Sequence, residues 1–131
     1  MIDPEIITRV NNLASTPAAM GGWLGLPYEK DGCIKFLVKP FRELGIEIEP
    51  TAEALRRERW NFKKVKGRPQ FGDVAVIEGL PEEPYHVAFM LDHRRAVQSC
   101  SATNGVGKIE LTRYPWVGLV QRYYRHKNVS V

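Results

Sequence analysis

The chain has 131 residues, 44% of them apolar and 26% charged, with a net charge of +4 from 19 Lys and Arg against 15 Asp and Glu. A chain of this size and composition buries roughly two-thirds of its surface in one core, which excludes a disordered tail, a fibre or a two-domain machine, so residues 1–131 read as a single domain. No window approaches the ~18 uninterrupted apolar residues of a membrane span. Met1-Ile2-Asp3-Pro4-Glu5 lacks the basic start and apolar core of a secretory signal, so the product is expected to be cytoplasmic as made. The two cysteines, Cys33 and Cys100, are too few for a disulfide framework and read as free thiols.

In chain order, Asp3 followed by Pro4 signals a helix start, and Ile6, Ile7, Val10, Leu13 and Ala14 then fall on one face, predicting a helix over about 4–15. Gly and Pro punctuate residues 16–31 too often for a regular element, which predicts an ordered loop. A second helix begins at Asp31, with Cys33, Ile34, Phe36, Leu37, Phe41 and Leu44 apolar and Gly45 as its stop; Pro40 predicts a kink or an early end. Thr51 caps a short third helix through Trp60, and Lys63 to Gln70 reads as a basic loop. Beyond Phe71 the period changes, predicting five strands: Asp73–Glu78, Tyr85–Leu91, Arg95–Ser99, Gly105–Leu111 and Trp116–Tyr124. Helices first and strands after, joined by short turns, make an α+β fold with an antiparallel sheet and no internal repeat.

Residues 56–68 carry seven bases (Arg56, Arg57, Arg59, Lys63, Lys64, Lys66, Arg68) and one acid, Glu58. With Trp60 and Phe62 interleaved, this stretch is compatible with a single-stranded nucleic acid, and equally with a solvated helix end and loop; charge alone does not make nucleic acid the expected partner.

One position invites covalent chemistry. A cysteine in the first turn of a helix sits where backbone amides and the dipole favour a thiolate, the nucleophilic form. Cys33 occupies that place if Asp31 is the cap, with the Cys33 amide as an oxyanion donor and the Tyr28 hydroxyl within reach of the sulfur. The alternative is an inert thiol on an apolar helix face. Among His86, His93 and His126, only His86 opens a strand that faces a packed layer. A hairpin centred on Asp92 sets His86 opposite Gln98, with Cβ atoms about 4.5–5.5 Å apart, so that the Gln98 oxygen fixes one imidazole nitrogen and leaves the other for Cys33. A turn centred on His93-Arg94 breaks that pairing. His93 then belongs to an exposed turn and His126 to a solvated basic tail. Cys100, two residues after Gln98, shares its face. Cys33, Cys100, His86 and His93 show no ligand spacing of the usual kind, so neither a metal nor another cofactor is expected.

Trp23-Leu24-Gly25-Leu26-Pro27-Tyr28, Asp31-Gly32-Cys33, Gly45-Ile46, Phe71-Gly72-Asp73-Val74-Ala75-Val76, His86-Val87-Ala88-Phe89 and Tyr123-Tyr124-Arg125 resemble, in order and spacing, the NlpC-type cell-wall peptidases, and most of all their short phage and prophage tail forms. The resemblance spans roughly Met20 to Arg125. It implies a papain-like fold, N-terminal helices packed on a C-terminal antiparallel sheet of about five strands. It further implies Cys33 as nucleophile, His86 as base and then acid, Gln98 as orienting residue, and Tyr28, Trp23 and Asp31 around the oxyanion and substrate. Gly32 separates the Asp from the Cys and Ile34 follows it, where the family usually has Asp directly before and a small residue after. The implied activity is hydrolysis of an amide in peptidoglycan stem peptides, between D-glutamate and diaminopimelate or lysine. A phage tail or another delivery partner would take the product to the wall. The alternative is a tail or assembly protein that keeps the fold without turnover.

Overall fold

A computed structural model describes residues 2–29, 31–49, 51, 61–80 and 86–129. Apart from Thr51, the third helix expected from Thr51 to Trp60 lies outside them. Helix α1 spans Pro4–Ser15 and begins as predicted: the Asp3 carboxylate accepts from the Glu5 amide at 2.9 Å, and Pro4 occupies the first turn, where no donor is needed. Val10 and Ala14 are its buried residues. Helix α2 spans Gly32–Glu43. Pro40 does not end it: the ring forfeits one backbone bond but is itself buried, and Leu37 and Phe41 hold the helix down on either side. The stop is Gly45, left-handed at φ 75°, whose amide donates to Arg42 while the Ile46 amide reaches back to Phe41, two bonds that satisfy the last carbonyls.

The sheet is antiparallel and has six strands rather than five: β1 (Phe62–Lys64), β2 (Val74–Glu78), β3 (His86–Met90), β4 (Arg95–Cys100), β5 (Gly105–Glu110) and β6 (Val120–His126). Their order is β1-β6-β2-β3-β4-β5, so the last strand lies between the first and second. The extra strand comes from the expected basic loop. It escapes an alternation pattern because a single apolar residue anchors it: Phe62 meets Phe41 edge-on at 5.7 Å and His126 at 5.1 Å, while Lys63 and Lys64 stay exposed on the sheet edge. Phe62 is therefore a core residue and is not free to stack on a base. Trp116, expected in the last strand, sits instead in a 3-10 turn over Trp116–Gly118, and pairing begins at Val120.

Both faces of the sheet are covered, which is why β3 is buried throughout. One face carries Val74, Val76, Val87, Phe89, Val97 and Val106 beneath α2. The other carries Ala75, Ile77, Ala88, Met90, Ala96, Cys100 and Ile109, closed by Leu111 and Trp116 from the segment between β5 and β6. An ion pair between a partly exposed arginine and a buried aspartate ties the start of β2 to β6: Arg125 Nε and Nη2 donate to the two Asp73 carboxylate oxygens at 2.7 and 2.9 Å, and the Gln70 amide adds a third bond at 2.9 Å.

His126 departs from the expected solvated tail. It is buried in β6 between Phe62 and Phe41, with Nδ1 accepting from the Asn128 amide at 3.1 Å. Burial, helped by the charge of Lys127, holds its pKa below the ordinary 6.5. The unfolded chain then binds a proton that the folded chain resists. This contribution to stability is intact above about pH 6.5 and is lost as pH falls through the lowered folded value. Urea midpoints compared between about pH 7 and pH 5 should fall less for His126→Gln than for the parent protein; equal losses would remove His126 from the acid response.

Candidate active site

Cys33 is the second residue of α2 and is 6% exposed. Asp31 stands at the cap position but not as a cap. Its backbone is left-handed, φ 58° and ψ 23°, and its side chain makes no capping bond; the first turn is closed by its carbonyl, which accepts from Ile34 and Lys35 at 3.2 and 3.1 Å. The loop leading in is held from β5, where Gly25 donates to Val106 and Val106 donates to Leu26, each at 3.0 Å. Gly105 permits this approach, since a side chain there would collide with the Leu26 carbonyl. The loop thus brings a partly exposed Tyr28 against the start of α2: a methyl on Gly32 would stand 3.7 Å from the Tyr28 ring and 3.5 Å from the Ser99 hydroxyl. A small cavity of about 100 Å³ opens here, bordered by Pro27, Glu29, Gly32, Lys35 and Ser99. Trp23 does not wall a cleft; it is buried and packs edge-on against Phe36 at 5.6 Å.

The hairpin register differs from the expected one in an instructive way. Phe89 pairs with Val97 and Met90 with Ala96, so the turn is centred on His93, one residue beyond Asp92. Asp92 is the first residue of the turn, and its carboxylate accepts from the Arg94 and Arg95 amides at 2.8 and 2.7 Å and from the Arg95 side chain at 2.8 Å. Burial alone would raise the Asp92 pKa, but those bonds outweigh it and hold the carboxylate below its ordinary value. His93 is exposed in the turn, as expected.

Moving the apex by one residue moves the pairing by two, which preserves the face and changes the partner. Among the described residues the β3–β4 pairing runs over Phe89 with Val97 and Met90 with Ala96. Strand alternation nonetheless puts His86, which pairs with Ile77, and Gln98, two residues from both Ala96 and Cys100, on one face of the sheet. Both are fully buried. The Thr103 hydroxyl donates to the Gly105 carbonyl at 2.7 Å and so accepts from Gln98 Nε2 at 2.8 Å. That fixes which end of the amide is which. Gln98 Oε1, buried, has no hydrogen-bond partner among the described residues. Cys100 takes the packing role: it is buried on the same face, its sulfur 3.7 Å from the Thr103 hydroxyl.

Strand alternation turns His86 to the face opposite α2, where its ring stacks on Trp116. Cys33 belongs to the cluster beneath α2. The start of α2 lies against Ser99 near the end of β4, the strand that also carries Gln98. Sequence reasoning missed Thr103 and Trp116, since each matters through a contact made across a turn and neither lies in a recognisable spacing. Among the described residues no group of His, Cys, Asp and Glu could hold a metal ion, and no helix is long and apolar enough to cross a membrane.

No family model matches the chain, and no curated protein matches it by sequence. Solved structures do match by fold. A lipoprotein-like NLP/P60-family protein from Staphylococcus aureus superposes with a TM-score of 0.65 at 18% identity, over 95% of this chain and 43% of that one. A chain of the type VI effector–immunity complex Tae3–Tai3 from Ralstonia pickettii gives 0.55 at 21% identity, over 92% and 98%. The NlpC/p60 domain of the peptidoglycan hydrolase SagA gives 0.57 at 17%, over 89% and 93%. This chain thus spans less than half the length of the staphylococcal protein and nearly all of the other two. The fold is the papain-like α+β fold of NlpC/P60 domains.

Proposed function

We propose that the chain is a cysteine peptidase acting on the stem peptides of bacterial peptidoglycan. Cys33 as thiolate attacks the amide carbonyl, the Cys33 amide and Tyr28 hold the oxyanion, and His86 protonates the leaving amine and then activates water to release the acyl group. Gln98 orients the imidazole. The observation that carries this reading is the Gln98 amide: its nitrogen is committed to Thr103, and its oxygen is left as a buried acceptor on the face it shares with His86. A buried unpaired carbonyl costs about 1–3 kcal/mol. An imidazole N–H at that oxygen removes the cost and selects the tautomer that serves the thiol.

The fold shared with a domain of a protein described as a peptidoglycan hydrolase supports the substrate class. The bond, D-glutamate to diaminopimelate or lysine, rests on the motif resemblance alone. Delivery by a dedicated export machine is supported by the fold shared with a chain of a type VI effector complex.

The test is incubation with peptidoglycan fragments of defined diaminopimelate and lysine stems, read by mass spectrometry, with protein alkylated at Cys33 beside it. Cleavage by the untreated protein alone supports the reading and names the bond. The absence of product on both stems under reducing conditions would overturn it in favour of an assembly protein that keeps the fold.

A further inference from the structure

We propose that Trp116 is a positioning residue that fixes the His86 imidazole by stacking on it, and that Gln121 holds Trp116 in place. This rests on the reading of Cys33 and His86 as the reacting pair. The backbone pairing of His86 with Ile77 does not by itself fix how the imidazole is turned. The indole supplies that restraint: the two rings are 5.8 Å apart between centroids and inclined by 26°, and both residues are buried. A near-parallel neighbour covers one face of the imidazole and keeps water from it. It also tolerates the imidazolium that must form when the thiol gives up its proton.

The indole is itself held. Ile77 pairs with His86 on one side and with Gln121 on the other, so His86, Ile77 and Gln121 form one row across β3, β2 and β6. Residues in such a row point to the same face, and here that face carries Trp116 and Ile77. From the far end of the row Gln121 Nε2 donates to the Trp116 carbonyl at 2.7 Å and to the Leu111 carbonyl at 3.2 Å. These two bonds tie Leu111, just after β5, and Trp116, the first residue of the 3-10 segment that carries the indole, to β6. The Tyr123 hydroxyl donates to Gln121 Oε1 at 2.6 Å, which fixes the amide with its nitrogen toward those carbonyls. Burial raises the Tyr123 pKa above its ordinary 10, so the hydroxyl keeps its proton across the working range. The chain Tyr123–Gln121–Trp116–His86 therefore runs from the middle of the sheet to the imidazole.

The experiment follows alkylation of Cys33 by iodoacetamide as a function of pH, read by peptide mass so that Cys100 is scored separately. In the parent protein an oriented imidazole keeps the thiol reactive well below its free pKa of about 8.5. Trp116→Leu should slow alkylation at about pH 6 by roughly tenfold and move the profile up toward the free-thiol value, whereas Trp116→Phe, which keeps a ring to stack, should stay within about threefold of the parent. If Trp116→Leu does not fold, Gln121→Met carries the same test, because Gln121 touches the loop backbone and not the imidazole. A parent profile that is depressed and unchanged in Trp116→Leu or Gln121→Met overturns the positioning role and leaves the catalytic reading standing. A parent profile already at the free-thiol value overturns the catalytic reading, and the positioning role with it.

Discussion

Cys33→Ala and His86→Ala should each lower stem-peptide hydrolysis by on the order of 10⁴-fold or more, and the double variant should be no slower than the worse single. The reason is that thiolate and imidazole act as a unit. Without the base the thiol keeps its proton near neutral pH, and without the thiol the base has nothing to activate in the acylation step. Gln98→Ala should cost only about tenfold, the worth of one buried hydrogen bond that orients a ring which is still present. The measurement is kcat/KM on a defined fragment, with circular dichroism confirming that each variant is folded. Multiplying losses in the double variant would show that Cys33 and His86 act separately, and a Cys33→Ala within tenfold of the parent would remove the thiol from the chemistry.

Arg125→Ala should be the most destabilising single change outside the reacting residues, costing about 3–5 kcal/mol in urea or thermal unfolding. It leaves the fully buried Asp73 carboxylate with one backbone amide in place of a bidentate partner. Because most of that cost is the stranded charge, removing both charges in Asp73→Leu with Arg125→Met should cost less than Arg125→Ala alone. If the double change costs the sum of the two singles, the pair contributes through independent contacts and the account of a stranded charge is wrong.

Much of this fold is legible in the chain because strong local signals agree with the tertiary result. Asp3-Pro4 starts α1, Gly45 ends α2, and the β-branched runs after Phe71 become strands close to where the alternation places them. The misreadings share one cause, that a local pattern does not encode which residue of a turn or edge is used. Asp92 looks like a turn apex and is a turn entrance, because its carboxylate captures the two following amides. Lys63-Lys64 looks like solvated loop and is an edge strand, because Phe62 is tied down by rings from α2 and β6. His126 looks like tail and is core for the same reason. At the site, the place of Cys33 in the first turn of α2, the strand that His86 opens and the shared face of Gln98 could be read in advance. Trp23 as packing, the uncapped Asp31 and the roles of Thr103 and Trp116 could not, since they depend on which side chains the folded layers bring together.

The position of β6 bears on when the protein can take shape during synthesis. It leaves the ribosome after the other five strands, yet it separates β1 from β2 and carries the Gln121 that clamps the segment against His86. A nascent chain that has emerged only as far as Leu119 has β2 with a bare edge, β1 with nothing to pair with, and Asp73 without its arginine. Closure of the sheet and assembly of the histidine side of the site therefore wait for the same few residues, and partly made chains lack both.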